Sequence, residues 1–226
     1  TDNTFEEAKK YCKKGVKVVH KENGGKHSAL NYGLIFAKGD IIVTVDADSI
    51  VSRQAIKKIA NRFENDSEIG AVAGNVKVLN RGKFITNCQA LEYLVGINIF
   101  RRALDIFGAV SVVPGCLGAF RKKLLEGGGF YDSDTLTEDF DVTIKMRKLG
   151  KTVQASTDAQ VFTEVPEGWR DLYNQRIRWY RGNFQTIFKH KNAALNPRFG
   201  LLQKLSFPFL ILSMTLLPLA GIVVLA

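Results

Sequence analysis

The chain of 226 residues has little of what marks a disulfide-stapled, metal-clustered or linker-joined protein. Its three cysteines, Cys12, Cys88 and Cys116, lie far apart with no Cys-x-x-Cys spacing, so they read as buried, reduced thiols rather than as a disulfide or metal set. His20, His27 and His190 fall at no metal-ligand spacing either, which argues against zinc. No internal repeat, low-complexity tract or Pro/Ser-rich linker interrupts the chain. Acid is in deficit: 32 Lys and Arg against 22 Asp and Glu leave a formal net charge of +10. That excess points to a polyanionic partner, whether nucleic acid, anionic headgroups or a phosphorylated substrate. Charge is missing altogether from Leu205 to Ala226, LSFPFLILSMTLLPLAGIVVLA. A run of this length suits a helix crossing a bilayer, and Pro208 and Pro218 are tolerated in membrane-embedded or interfacial pieces. A buried core helix is the alternative. The opening TDNTFEEAKKYCKKG is polar and reads as a helix, not a secretory leader.

What is present suits a globular domain: 46% hydrophobic and 24% charged residues, enough to bury a core. A first helix is expected from a cap at Asp2 or Asn3 to Gly15, with Glu6 and Glu7 in its early turns. A short strand, Val16 to His20, and the loop ENGGK follow. The helix HSALNYGLIFAKG then ends at Gly39 and leads into the strand IIVTVDAD. Next come the helix SRQAIKKIANRFEND and the strand GAVAGNVKVL. This alternation predicts an α/β fold around a mostly parallel sheet, in which ligands bind beyond the carboxyl ends of the strands. Further on, helices are expected from Phe84 to about Phe107, from Thr137 to Leu149 and from Trp169 to about His190. TVQASTDAQVFTEVP reads as strand and loop. The expected boundary lies near Asn196-Pro197, between a domain over residues 1–196 and an apolar segment over residues 197–226.

Three short stretches can carry chemistry, and each has a plain structural reading beside the functional one. Asp46-Ala47-Asp48 closes a strand. Such residues often make a turn, but two carboxylates on one face of a strand would repel unless a cation lies between them. Mg²⁺ or Mn²⁺ commonly uses one or two carboxylates plus substrate phosphates. Thr137-Glu138-Asp139 is an ordinary capped, acidic helix start. After the flexible EGGGFYDSD it is also a place for a general base. In QRIRW, Gln175, Arg178 and Trp179 share one helix face. They belong either to an amphipathic helix with a buried Trp, or to a site where the guanidinium forks onto phosphate and the indole carries a sugar ring.

DAD, TED and QRIRW, in this order and spacing, resemble the signature of the processive family-2 glycosyltransferases, the synthases of cellulose, chitin, hyaluronan and poly-N-acetylglucosamine. GGKHSALNYGLIFAKGD is similar to the family's segment before the metal motif, and TDNT to the residues after its second strand. The resemblance implies a GT-A, Rossmann-like catalytic domain followed by interfacial and transmembrane helices. It also implies that a first strand with the base-contacting aspartate precedes these residues, and that the apolar end continues. By position it assigns Asp46 and Asp48 to the nucleotide diphosphate and to Mg²⁺ or Mn²⁺, and Asp139 to the general base. Gln175 and Arg178 fall to the diphosphate, Trp179 to the acceptor and Lys26 to the nucleotide. Gly115 and Cys116, in VVPGCLGAFRK, fall where the family lines its acceptor cleft. The implied partners are a nucleotide-sugar donor, a polysaccharide acceptor and a lipid bilayer, with no nucleic acid. The catalytic side is expected on the cytoplasmic face, where the basic flank of the apolar run belongs. A transferase placing one sugar on a lipid carrier shares DAD but usually lacks QxxRW. A basic, membrane-tethered binding module leaves DAD and TED unexplained.

Overall fold

In a computed structural model, residues 3–213 are described. Asp2, one of the two expected helix caps, and residues 214–226, which include Pro218, lie outside them. The chain divides into two compact units, Thr1–Lys38 and Gly39–Ala226.

The first unit holds helix α1 (Thr4–Lys9), a 3-10 turn (Cys12–Lys14) and helix α2 (Gly25–Phe36). Gly15, with φ of 82°, ends the turn in a conformation that favours glycine. Residues 16–20, expected as a strand, pair with no described strand. A β-rich sequence without a neighbour to take its backbone hydrogen bonds stays irregular.

The second unit is built on strands β1 (Ile41–Thr44), β2 (Ser49–Val51), β3 (Ile69–Val78), β4 (Gly118–Arg121) and β5 (Thr152–Thr163), in the order β1-β4-β3-β5-β2. Only β3 and β5 run parallel, while β1–β4, β3–β4 and β2–β5 are antiparallel. The expectation of a mostly parallel sheet is therefore corrected to a mixed one. Alternation of strands and helices predicts parallel neighbours only when consecutive strands pair, and here β4, arriving after a long helical stretch, inserts between β1 and β3. The run of buried residues in β3 fits this central place.

Helix α3 (Ala55–Asn65) buries Ala55, Ile59 and Phe63, four residues apart, and exposes Lys57, Lys58 and Glu64. Arg121 ties its end to the sheet by donating to the carbonyls of Phe63, Asp66 and Ile69 at 3.0, 3.0 and 2.7 Å. The long helix expected from Phe84 is continuous to Asp105 but not uniform: α4 (Phe84–Glu92), a π-helical stretch (Tyr93–Ile99) and α5 (Phe100–Asp105) follow one another. Helix α6 (Lys122–Gly127) leads to α7 (Glu138–Lys148), and α8 (Trp169–Lys189) to α9 (Lys191–Leu195). After a 3-10 turn (Pro197–Phe199) and a π-helical turn (Leu202–Ser206) comes α10 (Phe207–Ile211).

The first part of the apolar run is therefore helical and packed. Leu202, Phe207 and Leu210 form a core cluster with Phe140 and Ile144 of α7 and Ala193 of α9. Among the described residues no helix is long and apolar enough to cross a membrane. The cysteines are all free, but Cys12 and Cys88 are exposed and only Cys116 is buried, which corrects the expectation of three buried thiols. Cys88 and its exposed neighbours belong to a helix that buries Ile85, Thr86, Gln89 and Ala90 instead.

Gly74 sets the spacing between β3 and the segment leading into β4. Its N–H donates to the carbonyl of Leu117 at 2.9 Å, and a Cβ at this position would stand 2.6 Å from Leu117 Cδ2. Gly74→Ala is expected to cost about 1–3 kcal/mol by overpacking, read as a lowered urea midpoint. Adding Leu117→Ala should recover part of that loss, and additive effects would show that the contact does not set the spacing.

Candidate active site

β1 stops at Thr44, and Asp46-Ala47-Asp48-Ser49 forms a turn closed by a hydrogen bond from Ser49 N–H to the Asp46 carbonyl at 3.1 Å. The two carboxylates thus sit on a turn between β1 and β2, not side by side along one strand. Asp and Ser supply the turn chemistry, as the plain reading of DAD expects. Asp46 is half-buried and Asp48 exposed. Asp48 Oδ1 lies within hydrogen-bond reach of the Ser49 and Thr163 hydroxyls, at 3.1 and 3.4 Å. Those contacts orient one oxygen of Asp48 through β5.

Asp139 occupies the first turn of α7, where the N–H groups of a helix start favour a carboxylate. Its Oδ1 accepts from Phe140 N–H at 2.8 Å and its Oδ2 from Gly115 N–H at 3.3 Å. Two expected site residues, Asp139 and Gly115, are thereby joined. Cys116 lies beside them, and burial pushes its thiol up to about 12. The charge of Arg101 opposes that rise, and the carboxylates of Asp46 and Asp139 add to it. Cys116 therefore stays protonated near neutrality and lines the site without being a nucleophile. The same interactions place Asp46, Asp139, Gly115 and Cys116 in one electrostatic neighbourhood.

QRIRW lies within α8. Arg178 is exposed, and its guanidinium has no hydrogen-bond or ion-pair partner among the described residues. Trp179 is half-buried and packs against the core cluster that contains Tyr93, Cys116 and Leu117. Gln175 is half-buried and accepts from Arg176 at 3.2 Å. Helix α8 also reaches the start of α7. A Cβ on Gly182 would stand 2.6 Å from Thr137 Cγ2 and 2.9 Å from Thr137 N, and the Thr137 and Thr186 hydroxyls are 3.3 Å apart. Thr137 occupies the N-cap position of α7, but its side chain makes no capping bond. Lys26 lies in the first turn of α2, in the other compact unit.

Residues 41–226 match the family described as glycosyl transferase family group 2. The chain belongs to that family. It is 32% identical over 168 residues to the poly-β-1,6-N-acetyl-D-glucosamine synthase of Staphylococcus aureus, an overlap that covers 74% of this chain and 41% of that protein. The chain thus spans about two-fifths of the curated relatives it matches. Among solved structures it resembles the mannosyltransferase PcManGT of Pyrobaculum calidifontis in complex with GDP-Man and Mn²⁺. There the TM-score is 0.68 at 22% identity, covering 100% of this chain and 64% of that one. It also resembles S. aureus TarS in complex with UDP-GlcNAc, with a TM-score of 0.55 at 20% identity, over 83% of this chain and 55% of that one. The fold is that of the GT-A glycosyltransferases, with a mixed sheet.

Within this family-2 domain three residues escape a motif-by-motif reading. Arg176 donates to Glu92 at 2.6 Å and stacks its guanidinium 4.3 Å from the Trp179 ring centroid. It therefore ties the indole to the last residue of α4. Arg101 donates to the Gly74 carbonyl at 3.0 Å, and burial lowers it to about 10 while its charge reaches Cys116 and Asp139. Gly182 is the third. A glycine inside a helix pattern, one turn after Trp179, is the kind of signal that marks close approach, whereas nothing in the local sequence singles out Arg101 or Arg176.

The donor set on the Asp46–Ser49 turn suits a divalent cation only in part, because no group of three or more His, Cys, Asp or Glu converges among the described residues. Two carboxylates on one turn, one of them exposed, match the way Mg²⁺ or Mn²⁺ takes few protein ligands and completes its shell with phosphate and water. They do not make a closed protein cage.

Behind Asp139, Asp141 is fully buried and receives His190 Nε2 at 2.8 Å and Lys189 Nζ at 2.9 Å. Burial alone would raise its pKa, but these bonds and the charges of Lys145 and Lys189 hold it at about 2. A carboxylate depressed in the folded state stabilises fully above its unfolded value and loses that contribution as pH falls toward the folded one. Wild-type protein is therefore expected to lose on the order of 2 kcal/mol between about pH 4 and pH 2 through this group. Urea unfolding of Asp141→Asn should show a shallower decline over the same window. Parallel curves for the two proteins would assign the acid sensitivity elsewhere.

Proposed function

We propose that this domain transfers a sugar from a UDP-sugar, with N-acetylglucosamine as the sugar, to the hydroxyl end of a growing β-linked polysaccharide at a membrane, with inversion at the anomeric carbon. The observation that carries the reading is the hydrogen bond from Gly115 N–H to Asp139, beside Cys116. Trp179 of α8 packs on the cluster that contains Cys116, and Arg178 of the same helix has no partner among the described residues. The family membership and the identity to a poly-β-1,6-N-acetyl-D-glucosamine synthase support it.

The chemistry is a single displacement. The acceptor oxygen forms a bond to the anomeric carbon as the bond from that carbon to the diphosphate breaks, and attack from the opposite face inverts the configuration. Asp139 takes the proton of the acceptor hydroxyl. Its carboxylate is held by two backbone N–H groups, so it is oriented before the acceptor arrives. Arg178, without a partner among the described residues, offers two parallel N–H donors to the departing diphosphate. Asp46 and Asp48 would hold Mg²⁺ or Mn²⁺, whose charge offsets that of the diphosphate. Trp179, clamped by Arg176, gives the acceptor sugar a flat apolar surface.

Membrane attachment belongs to the same reading. The uncharged run from Leu205 to Ala226 follows Arg198 and Lys204, a basic flank of the kind found on the cytoplasmic side of spans. On the helical stretch from Phe84 to Asp105 and just beyond it, Leu91, Val95, Ile99, Phe100, Ile106 and Phe107 are exposed, Ile106 by 81%. Apolar side chains in that number suit an interfacial position better than water.

The test is turnover of UDP-GlcNAc by the full-length membrane protein, with sizing and linkage analysis of the product. A polymer is expected, and single-sugar transfer or activity with other donors alone would contradict the reading. In the same assay Asp139→Asn should lower turnover by about 10²–10⁴-fold, the range for loss of a general base, while donor affinity stays near that of wild type. Turnover close to wild type in this variant would move the base elsewhere.

A further inference from the structure

On helix α8 the residues Gln175, Arg178, Trp179, Gly182, Gln185, Thr186 and Lys189 recur at three- and four-residue steps, which places them along one face of the helix. The upper half of this stripe carries the donor and acceptor residues. The lower half meets the segment that leads into α7. Gly182 abuts Thr137 with no room for a side chain, and Gln185 Oε1 accepts from Leu136 N–H at 3.0 Å. Lys189 Nζ reaches Asp132 at 2.5 Å, Asp134 at 2.7 Å and Asp141 at 2.9 Å.

Those contacts add to the apolar anchors. Tyr131, Thr135 and Thr137 are buried, whereas Leu136 and Asp134 are exposed and are held by polar contacts to α8. The Thr137 hydroxyl, which at an N-cap ordinarily bonds the first turn of its own helix, faces Thr186 instead. The start of α7, and with it Asp139, is thus held by α8 as well as by Gly115 and the burial of Phe140. The groups around Lys189 complete the arrangement. Lys145 bridges Asp132 at 2.7 Å, His190 bonds Asp141, and Lys148 lies 3.3 Å from His190 Nδ1.

We propose that Gln185 and Lys189 are positioning residues for the transfer step: they hold the Asp139 end of α7 in register with Arg178 and Trp179 on the same helix. The proposal rests on the reading of Asp139 as the base. Neither residue touches donor or acceptor, so loss of either should slow chemistry without weakening the donor complex.

The experiment uses the full-length protein with UDP-GlcNAc. Gln185→Met keeps the length of the side chain but removes the acceptor, and Gln185→Glu restores an acceptor oxygen. Gln185→Met is expected to lower kcat by about 10- to 100-fold, the scale of a sub-ångström to ångström misplacement of a reacting group, with donor KM essentially unchanged. It should also speed hydrogen exchange of the Leu136 amide, and Gln185→Glu should reverse both effects. Lys189→Met should lower kcat in the same way and Lys189→Arg should recover it. Unchanged kcat in Gln185→Met, KM rising in proportion as kcat falls, or a Glu variant as slow as Met would each overturn the proposal. If Lys189→Met does not fold, the Gln185 pair decides alone. A wild-type protein that turns over no UDP-sugar sinks the functional reading and this proposal together, whereas an active wild type with an indifferent Gln185→Met sinks only the latter.

Discussion

The contact on which the rest of this arrangement depends is that of Gly182 with Thr137. A side chain at 182 would occupy the space of the Thr137 methyl and backbone nitrogen, so only glycine lets α8 lie directly on the start of α7. Because packed interiors do not yield by an ångström without cost, this approach fixes the distance between the start of α7 and the residues one turn higher on α8. Everything assigned to the transfer step on these two helices inherits its geometry from that absence of a side chain.

The electrostatics follow a division between paired and unpaired charge. Below the site the charges neutralise one another: Asp132, Asp134 and Asp141 surround Lys189, whose ammonium these contacts favour despite partial burial. Near the site they do not. Arg178 has no partner among the described residues, and Asp48 is exposed with one oxygen oriented by neighbouring hydroxyls. A guanidinium and carboxylates of these kinds are the groups that a metal-bound diphosphate would engage under the proposed reading. The net charge of +10 bears on what the surface attracts, not on the fold.

Much of this was legible in the sequence, for reasons that differ from element to element. Helix α8 and strand β3 were readable because a long amphipathic period and a continuous buried run are strong local signals. The three motifs marked Asp46, Asp48, Asp139, Gln175, Arg178 and Trp179, and in the structure Asp139 accepts from Gly115 N–H beside Cys116. Strand direction was not readable: nothing local in GAFR tells that β4 slips between β1 and β3 in antiparallel sense. Residues 16–20 had the composition of a strand but lacked a described partner, and pairing is a property of two segments. Asp46 and Asp48 were recognisable as a pair, yet their turn depends on a backbone bond, Ser49 to Asp46, that competes with the strand pattern. Arg101 and Arg176 matter through tertiary contacts to Gly74 and Glu92, so no window of sequence contains their reason.

The central claim is that Asp46, Asp48 and Arg178 together form a site for a metal-bound nucleotide diphosphate. Titration calorimetry of the protein with UDP, in the presence and absence of Mn²⁺, tests it most directly. The account predicts saturable binding with Mn²⁺ that is lost without metal and weakened by at least about tenfold in Asp48→Asn, a loss of about 1.4 kcal/mol. UDP binding that is equally tight with and without Mn²⁺, or unaffected by Asp48→Asn, would contradict it.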